Sequence, residues 1–176
     1  MWLIRHAESI WNAEGRWQGQ ADPPLSDHGR RQAERLALRL ADEGIALLVA
    51  SDLHRAAETA AAVGRQLGIE VRPDLRLREI EAGHWSGLTH AEIEARDGAA
   101  LAHFFSGDVD ARAGGGESRR EAAARASQAL GELAREAAGR GIAVVTHGGI
   151  VQSLLPGVRL ANTAWTRVDA SREFGA

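Results

Sequence analysis

Two hydrophobic patterns alternate along the chain. Short, nearly unbroken apolar runs occur at 1–4 (MWLI), 45–51 (IALLVAS) and 142–146 (IAVVT), with weaker ones at 69–73 (IEVRP) and 163–168 (TAWTRV). Runs that are apolar at successive positions read as strands covered on both faces, whereas apolar residues returning every third or fourth position read as helices packed on one face. Residues 25–44 form such a helix: Ser26 caps its start, Leu36 and Leu40 mark its apolar face, and Gly44 supplies a stop. Residues 54–68 form a second helix, closed by Gly68. Residues 117–141 form a long third one, in which Ser118 and Glu121 have capping-box spacing. A short helix follows at 148–157. A long polar loop runs from the first strand through Pro24. The segment 74–113 carries two short helical pieces, one opened by Thr89 and one near 99–105, and AGGGES at 113–118 is the one stretch that reads as flexible. Strands alternating with helices predict an α/β fold, a three-layer α/β/α sandwich with a mostly parallel central sheet. No linker or repeat divides it, so 1–176 reads as a single domain.

The polar residues that follow the strands carry the candidate chemistry. Arg5 and His6 follow the first, Ser51, Asp52 and Arg55 the second, and His147, Gly148 and Gly149 the fourth. In open α/β sheets ligands bind beyond the carboxyl ends of the strands, so these groups converge on one edge. Two arginines and two helix starts there make an anion site, best suited to phosphate. A histidine among arginines has its pKa depressed, and the resulting neutral imidazole is a nucleophile. Each residue taken singly has a plainer reading: His6 as a core histidine bonded to backbone, Arg55 as a solvated helix arginine paired with Glu58, His147 as a turn cap, Glu79 as one acid among 24 Asp and Glu.

Composition narrows the classes. There is no cysteine, which excludes disulfides and thiolate chemistry, and a net charge of -3 gives no nucleic-acid-binding surface. No stretch is long and apolar enough for a membrane span and the apolar start is too short for a signal peptide, so the expected location is the cytoplasm. All 21 basic residues are arginine, a usage that fits a GC-rich or thermophilic source as readily as function. No HxH or HExxH pair appears, so no metal site is expected.

The motifs LIRHAES (3–9), IWNAEGRWQGQADPPLSDHGRRQA (10–33), ASDLHRAAETA (50–60), LREIEAGHWSGLT (77–89), GGGES (114–118) and VVTHGGIV (144–151) resemble, in order, those of the histidine phosphatase superfamily, the phosphoglycerate-mutase-like proteins. The likeness is to its short phosphatase branch, the α-ribazole phosphatases among them. It implies that His6 is the phosphorylated nucleophile and Glu79 the proton donor. It further implies that Arg5, Arg55 and His147 hold the phosphoryl oxygens with Asn12 assisting, and that Gln18, Gly19 and Gly148 contact phosphate or substrate. Departures are Ala7 for the commoner glycine, Ala113 and Gly114 where proline is frequent, which suggests a more mobile loop, and Gln18 where the mutases carry threonine.

The expectation is a metal-independent phosphomonoesterase acting on a small-molecule phosphate, with α-ribazole phosphate, phosphoserine and small sugar phosphates all compatible. Its alternatives are a cofactor-dependent phosphoglycerate mutase, which alone would need 2,3-bisphosphoglycerate, and a non-catalytic phosphate-binding protein. Only residues 80–116 separate Glu79 from Glu117. The mutases of the family carry a longer closing segment there, so an open site that admits water is expected. The sequence leaves oligomeric state open, a homodimer included.

Overall fold

The computed structural model describes residues 1–174. Its elements, in chain order, are β1 (Trp2–Arg5), α1 (Ile10–Ala13), α2 (Asp27–Arg39), β2 (Ile45–Ala50), α3 (His54–Leu67), β3 (Val71–Pro73), α4 (His90–Phe105), α5 (Arg119–Ala137), β4 (Gly141–Thr146), α6 (Gly148–Leu154), β5 (Trp165–Arg167) and α7 (Ala170–Phe174). The five strands make one sheet in the order β3-β2-β4-β1-β5, parallel except for β5.

Strand periodicity sorts the core into two layers. Ile4, Leu48, Ala50, Ala143 and Val145 pack against Leu36 of α2, Leu40 just past its end, and Ala60 and Val63 of α3. The intervening Leu3, Val49, Ile142 and Val144 pack on the other face against Leu130 and Leu133 of α5 and Val151 of α6. This is the expected three-layer α/β/α sandwich with a mostly parallel sheet. A further cluster, with Trp85, Ile93, Leu101 and Phe104 at its centre, holds α4 against the start of α5 beside the sheet edge.

Several local expectations need correction. Helix α2 stops at Arg39, well before Gly44, because Leu40 is fully buried and its N–H bonds both Leu36 O and Ala37 O, which tightens the last turn. The two helical pieces after Thr89 are present within α4 as expected, separated by a kink at Asp97 (φ -147°, ψ 36°), whose carboxylate accepts bonds from Trp85 Nε1 and His84. The polar loop after β1 contains α1, opened by a capping box between Ser9 and Asn12. Nor is AGGGES a flexible stretch. Ala113 and Gly114 are buried, and Gly114 has φ +54° with its Cα against the Ala82 carbonyl, where a side chain would collide. Glycine there serves close backbone packing rather than motion.

Candidate active site

The sheet order places the site. Arg5 is paired with Thr146 and Ala50 with Val145 on parallel strands, so the next residues, His6, His147 and Ser51, leave the sheet side by side. His6 N–H donates to Thr146 O (2.9 Å) and Ser51 N–H to Val145 O (3.0 Å), extending the ladder to the site itself. The chain leaves β1 toward the α2/α3 layer and β4 toward the α5/α6 layer. The crevice between them is the point where such sheets take ligands.

A cavity of about 330 Å³ opens there, and Arg5, His6, Asn12, Gln18, Gly19, Arg55, Glu79 and Gly148 all line it, as expected. His147 lies beneath it instead, fully buried, with its ring edge-on to His6 at 5.0 Å between centroids and its Nε2 bonded to Ser51 Oγ (2.8 Å).

The electrostatics are those of an unpaired cationic floor. Arg55 is completely buried and has no carboxylate within hydrogen-bonding reach among the described residues: Nη1 donates to Ala21 O and Nη2 to Gly19 O, each at 2.8 Å. Burial lowers its pKa to about 10, with Glu79 acting in the opposite sense. Glu58, its partner in the plainer reading, bonds Arg30 instead (2.8 Å). Arg5 donates from Nη1 to Leu160 O (2.8 Å), and burial lowers its pKa too. The His6 Nδ1–H donates to Ala7 O (2.6 Å), so the lone pair of the neutral ring sits on Nε2. Burial, then Arg55 and Arg5, hold the His6 pKa well below 6.5. Burial, then Arg55 and His6, do the same for His147. Among the described residues, the buried polar side-chain atoms with no partner are Arg5 Nε, Arg55 Nε, His147 Nδ1 and Trp2 Nε1, and the first three belong to this site. Buried donors of this kind are costly unless an acceptor meets them.

Opposite stands Glu79, with Oε1 accepting from Ile80 N–H (2.9 Å) and Oε2 from Gly149 N–H (3.0 Å). A Cβ on Gly149 would run into Oε1, so this carboxylate requires glycine there. Asn12 turns Oδ1 back to the Ser9 N–H (3.1 Å), and Gln18 accepts Ser9 Oγ–H through Oε1 (2.7 Å); both keep their amide N–H groups as donors.

Sequence reasoning missed several residues that hold these groups. Arg125 on α5 grips both oxygens of Glu117 (2.7 Å each) and donates to the carbonyls of Arg76, Arg78 and Glu79, clamping the segment that carries Glu79. Glu117 N–H also bonds Glu81 O (2.8 Å), which gives the GGGES motif its role. Asn162 donates Nδ2–H to the carbonyl of His6 (3.0 Å) and to Asn12 Oδ1 (3.3 Å). Trp17, Phe104, Phe105, Arg119 and Arg159 complete the outer wall of the cavity. Among the described residues, no three His, Cys, Asp or Glu side chains cluster in a way that could hold a metal ion.

Fold and site together define an α/β protein built to receive an anion at the carboxyl edge of its sheet. Residues 1–170 match the model of the histidine phosphatase superfamily, branch 1, and the chain belongs to that family. It is 40% identical over 161 residues to the glucosyl-3-phosphoglycerate phosphatase of Mycobacterium tuberculosis, covering 86% of this chain and 71% of that protein. It is 37% identical over 175 residues to the metal-independent phosphoserine phosphatase of Arabidopsis thaliana, covering 96% and 72%. The solved structure of a mycobacterial glucosyl-3-phosphoglycerate phosphatase with VO3 matches with a TM-score of 0.86 at 36% identity, covering 94% of this chain and 90% of that one.

Proposed function

We propose that the protein hydrolyses small-molecule phosphomonoesters through a phosphohistidine at His6, without a metal ion. The observation that carries this reading is the pair of buried Nε–H groups on Arg5 and Arg55 that lack an acceptor among the described residues, beside an imidazole whose free lone pair is on Nε2. A phosphoryl group supplies the missing acceptors.

The steps follow from the positions. His6 Nε2 attacks phosphorus as the ester oxygen departs in line, so a P–N bond forms while P–O breaks. Charge spreads over the three equatorial oxygens, and Arg5, Arg55, His147 and the Asn12 amide stabilise it in a site where burial strengthens every interaction. Glu79, fixed by two backbone N–H groups, gives its proton to the departing alkoxide. Water then attacks phosphorus, Glu79 takes its proton, and the P–N bond breaks to release phosphate and neutral His6. Gln18, Gly19 and Gly148 line the path of the substrate. The relatives named for phosphoserine and for glucosyl-3-phosphoglycerate suggest a small, polar alcohol as the leaving group.

A rapid quench during turnover of a labelled phosphomonoester tests the mechanism. Acid-labile, alkali-stable label is expected on His6, and label on serine would overturn it. EDTA dialysis is expected to leave the rate intact; a loss restored by magnesium, manganese or zinc would refute metal independence. The mutase alternative is separated by supplying 3-phosphoglycerate with a trace of 2,3-bisphosphoglycerate. Phosphate release should exceed formation of 2-phosphoglycerate, and the reverse would make the protein a mutase.

A further inference from the structure

Beyond the reaction centre, three more arginines line the cavity: Arg16, Arg119 and Arg159. Their surroundings differ. Arg16 is compensated by Glu14 (3.0 Å), Glu92 (3.3 Å) and the Gly87 carbonyl (2.8 Å). Arg119 has no carboxylate partner among the described residues. Its Nη1 donates to Phe104 O (2.6 Å), and its guanidinium lies 4.1 Å from the centroid of the Phe104 ring. Arg159, which is exposed, makes neither a hydrogen bond nor an ion pair among the described residues. Among the described residues, Glu79 is the only acid in the cavity wall, and its oxygens are engaged by backbone N–H groups.

A second hollow, of about 570 Å³, adjoins the first and shares Phe105, Arg119, Gln152 and Arg159 with it. Among the described residues, no Asp or Glu lines this hollow, and its remaining cation, Arg120, is held by Asp110 at 2.6 and 2.9 Å. Two uncompensated guanidinium groups therefore stand at the junction of the two hollows. Both line both hollows, and after burial the charge of Arg159 lowers the pKa of Arg119. Like charges brought together without a counter-ion cost free energy that a bound anion recovers. A guanidinium stacked on an aromatic ring keeps its edge N–H groups for a planar oxyanion.

We propose that Arg119 and Arg159 form a second anion subsite, which selects phosphomonoesters whose alcohol half carries a further carboxylate or phosphate and passes the rest of that alcohol into the adjoining hollow. This rests on the reading of the first cavity as the phosphoryl-transfer site. The ester phosphate occupies the floor at Arg5 and Arg55, and the second anion reaches the junction. Arg119 and Arg159 are thus specificity residues and take no part in bond breaking.

The test measures binding in the His6→Ala protein, so turnover does not enter, with three matched probes. Glycerol 3-phosphate carries no second anion, 3-phosphoglycerate adds a carboxylate, and glycerol 1,3-bisphosphate adds a phosphate. Calorimetry should show at least one of the two probes with a second anionic group binding about tenfold or more tighter than glycerol 3-phosphate, the size expected of one good charge-assisted contact, and which one does so identifies the group selected. Arg119→Gln and Arg159→Gln should each cut that ratio severalfold, Arg159→Lys should restore part of it, and raised salt should shrink it. Because Arg159 is exposed, its variant keeps the test sound even if Arg119→Gln folds poorly. A ratio near one in the parent, or a ratio that survives both glutamine variants, overturns the proposal. Turnover of p-nitrophenyl phosphate by the unaltered protein is followed in parallel. Its absence would count against the hydrolase reading while leaving the binding ratios to judge the subsite.

Discussion

Arg55 and Arg76 carry the same guanidinium in opposite settings. Arg76 lies near the surface against Asp74 (2.7 Å) and Glu132 (2.8 Å), and these hydrogen bonds raise its pKa. Arg72 and Arg120 are likewise gripped by carboxylates through two nitrogens each. Arg55 has only backbone carbonyls, and burial drives its pKa down to about 10. Surface pairs of the first kind contribute little to stability, because water already solvates both partners. A desolvated cation without a counter-ion costs far more, and a fold retains one only where something else offsets it. In a chain whose cations are all arginine, number says nothing about the site; the partners of each arginine say a great deal.

The sharpest way to break this contrast is Arg55→Gln. Loss of a cation from the equatorial oxygens should lower kcat/KM about 10³–10⁵-fold in steady-state assays. Arg55→Lys should recover little, since an ammonium cannot reach two carbonyls and a phosphoryl oxygen from the same geometry. A loss under tenfold would mean that Arg55 is only structural. Next in size is Glu79→Gln, with an expected loss of about 10²–10⁴-fold for an alkyl phosphate and less for p-nitrophenyl phosphate, whose leaving group needs no proton. Equal losses on both would assign Glu79 a structural role.

A pH series extends the comparison to the histidines. Burial and the two arginines hold His6 and His147 neutral well below pH 6.5 in the folded state. As pH falls below about 6.5, the unfolded chain therefore takes up more protons than the folded one, and stability must decline. Urea unfolding should give a lower midpoint at pH 5 than at pH 7.5, and inorganic phosphate should narrow the gap because an anion favours the imidazolium. Equal midpoints without phosphate would show that the two rings are not held neutral. The smallest effect belongs to Arg72→Gln, which removes an exposed pair with Glu136. Its melting temperature should move by about 2 °C or less with activity intact; a larger change would erase the distinction between the two arginine populations.

The sequence made the fold and the floor of the site legible because both rest on local signals. Unbroken apolar runs marked the central strands, and Ser26, Thr89, Ser118 and Gly68 marked helix ends where they occur. The polar residues after each strand then fell together by the geometry of a parallel sheet. What stayed hidden depends on contacts between distant segments. Nothing near Arg125 announces that it clamps the Glu79 segment, and nothing near Asn162 announces its bond to His6. The glycines at 114–116 misled because glycine serves mobility and close packing alike, and only the position of the Ala82 carbonyl tells which. His147 fell beneath the cavity instead of lining it because its depth follows from the register of β4 against β1.

The sheet order also sets a timetable. Strand β1 ends at Arg5, directly before the nucleophile candidate His6, yet its neighbours in the sheet are β4 and β5, more than 130 positions further along. A ribosome therefore delivers the reactive strand before its hydrogen-bonding partners. Until residues 141–146 and 165–167 emerge, β1 has both edges unpaired and His6 has no Thr146 carbonyl to hold it. Pairings so distant in sequence form late and slowly. Catalytic competence should consequently appear only once β4 and β5 have emerged, and a nascent chain stalled before β4 should expose an apolar strand that chaperones can bind.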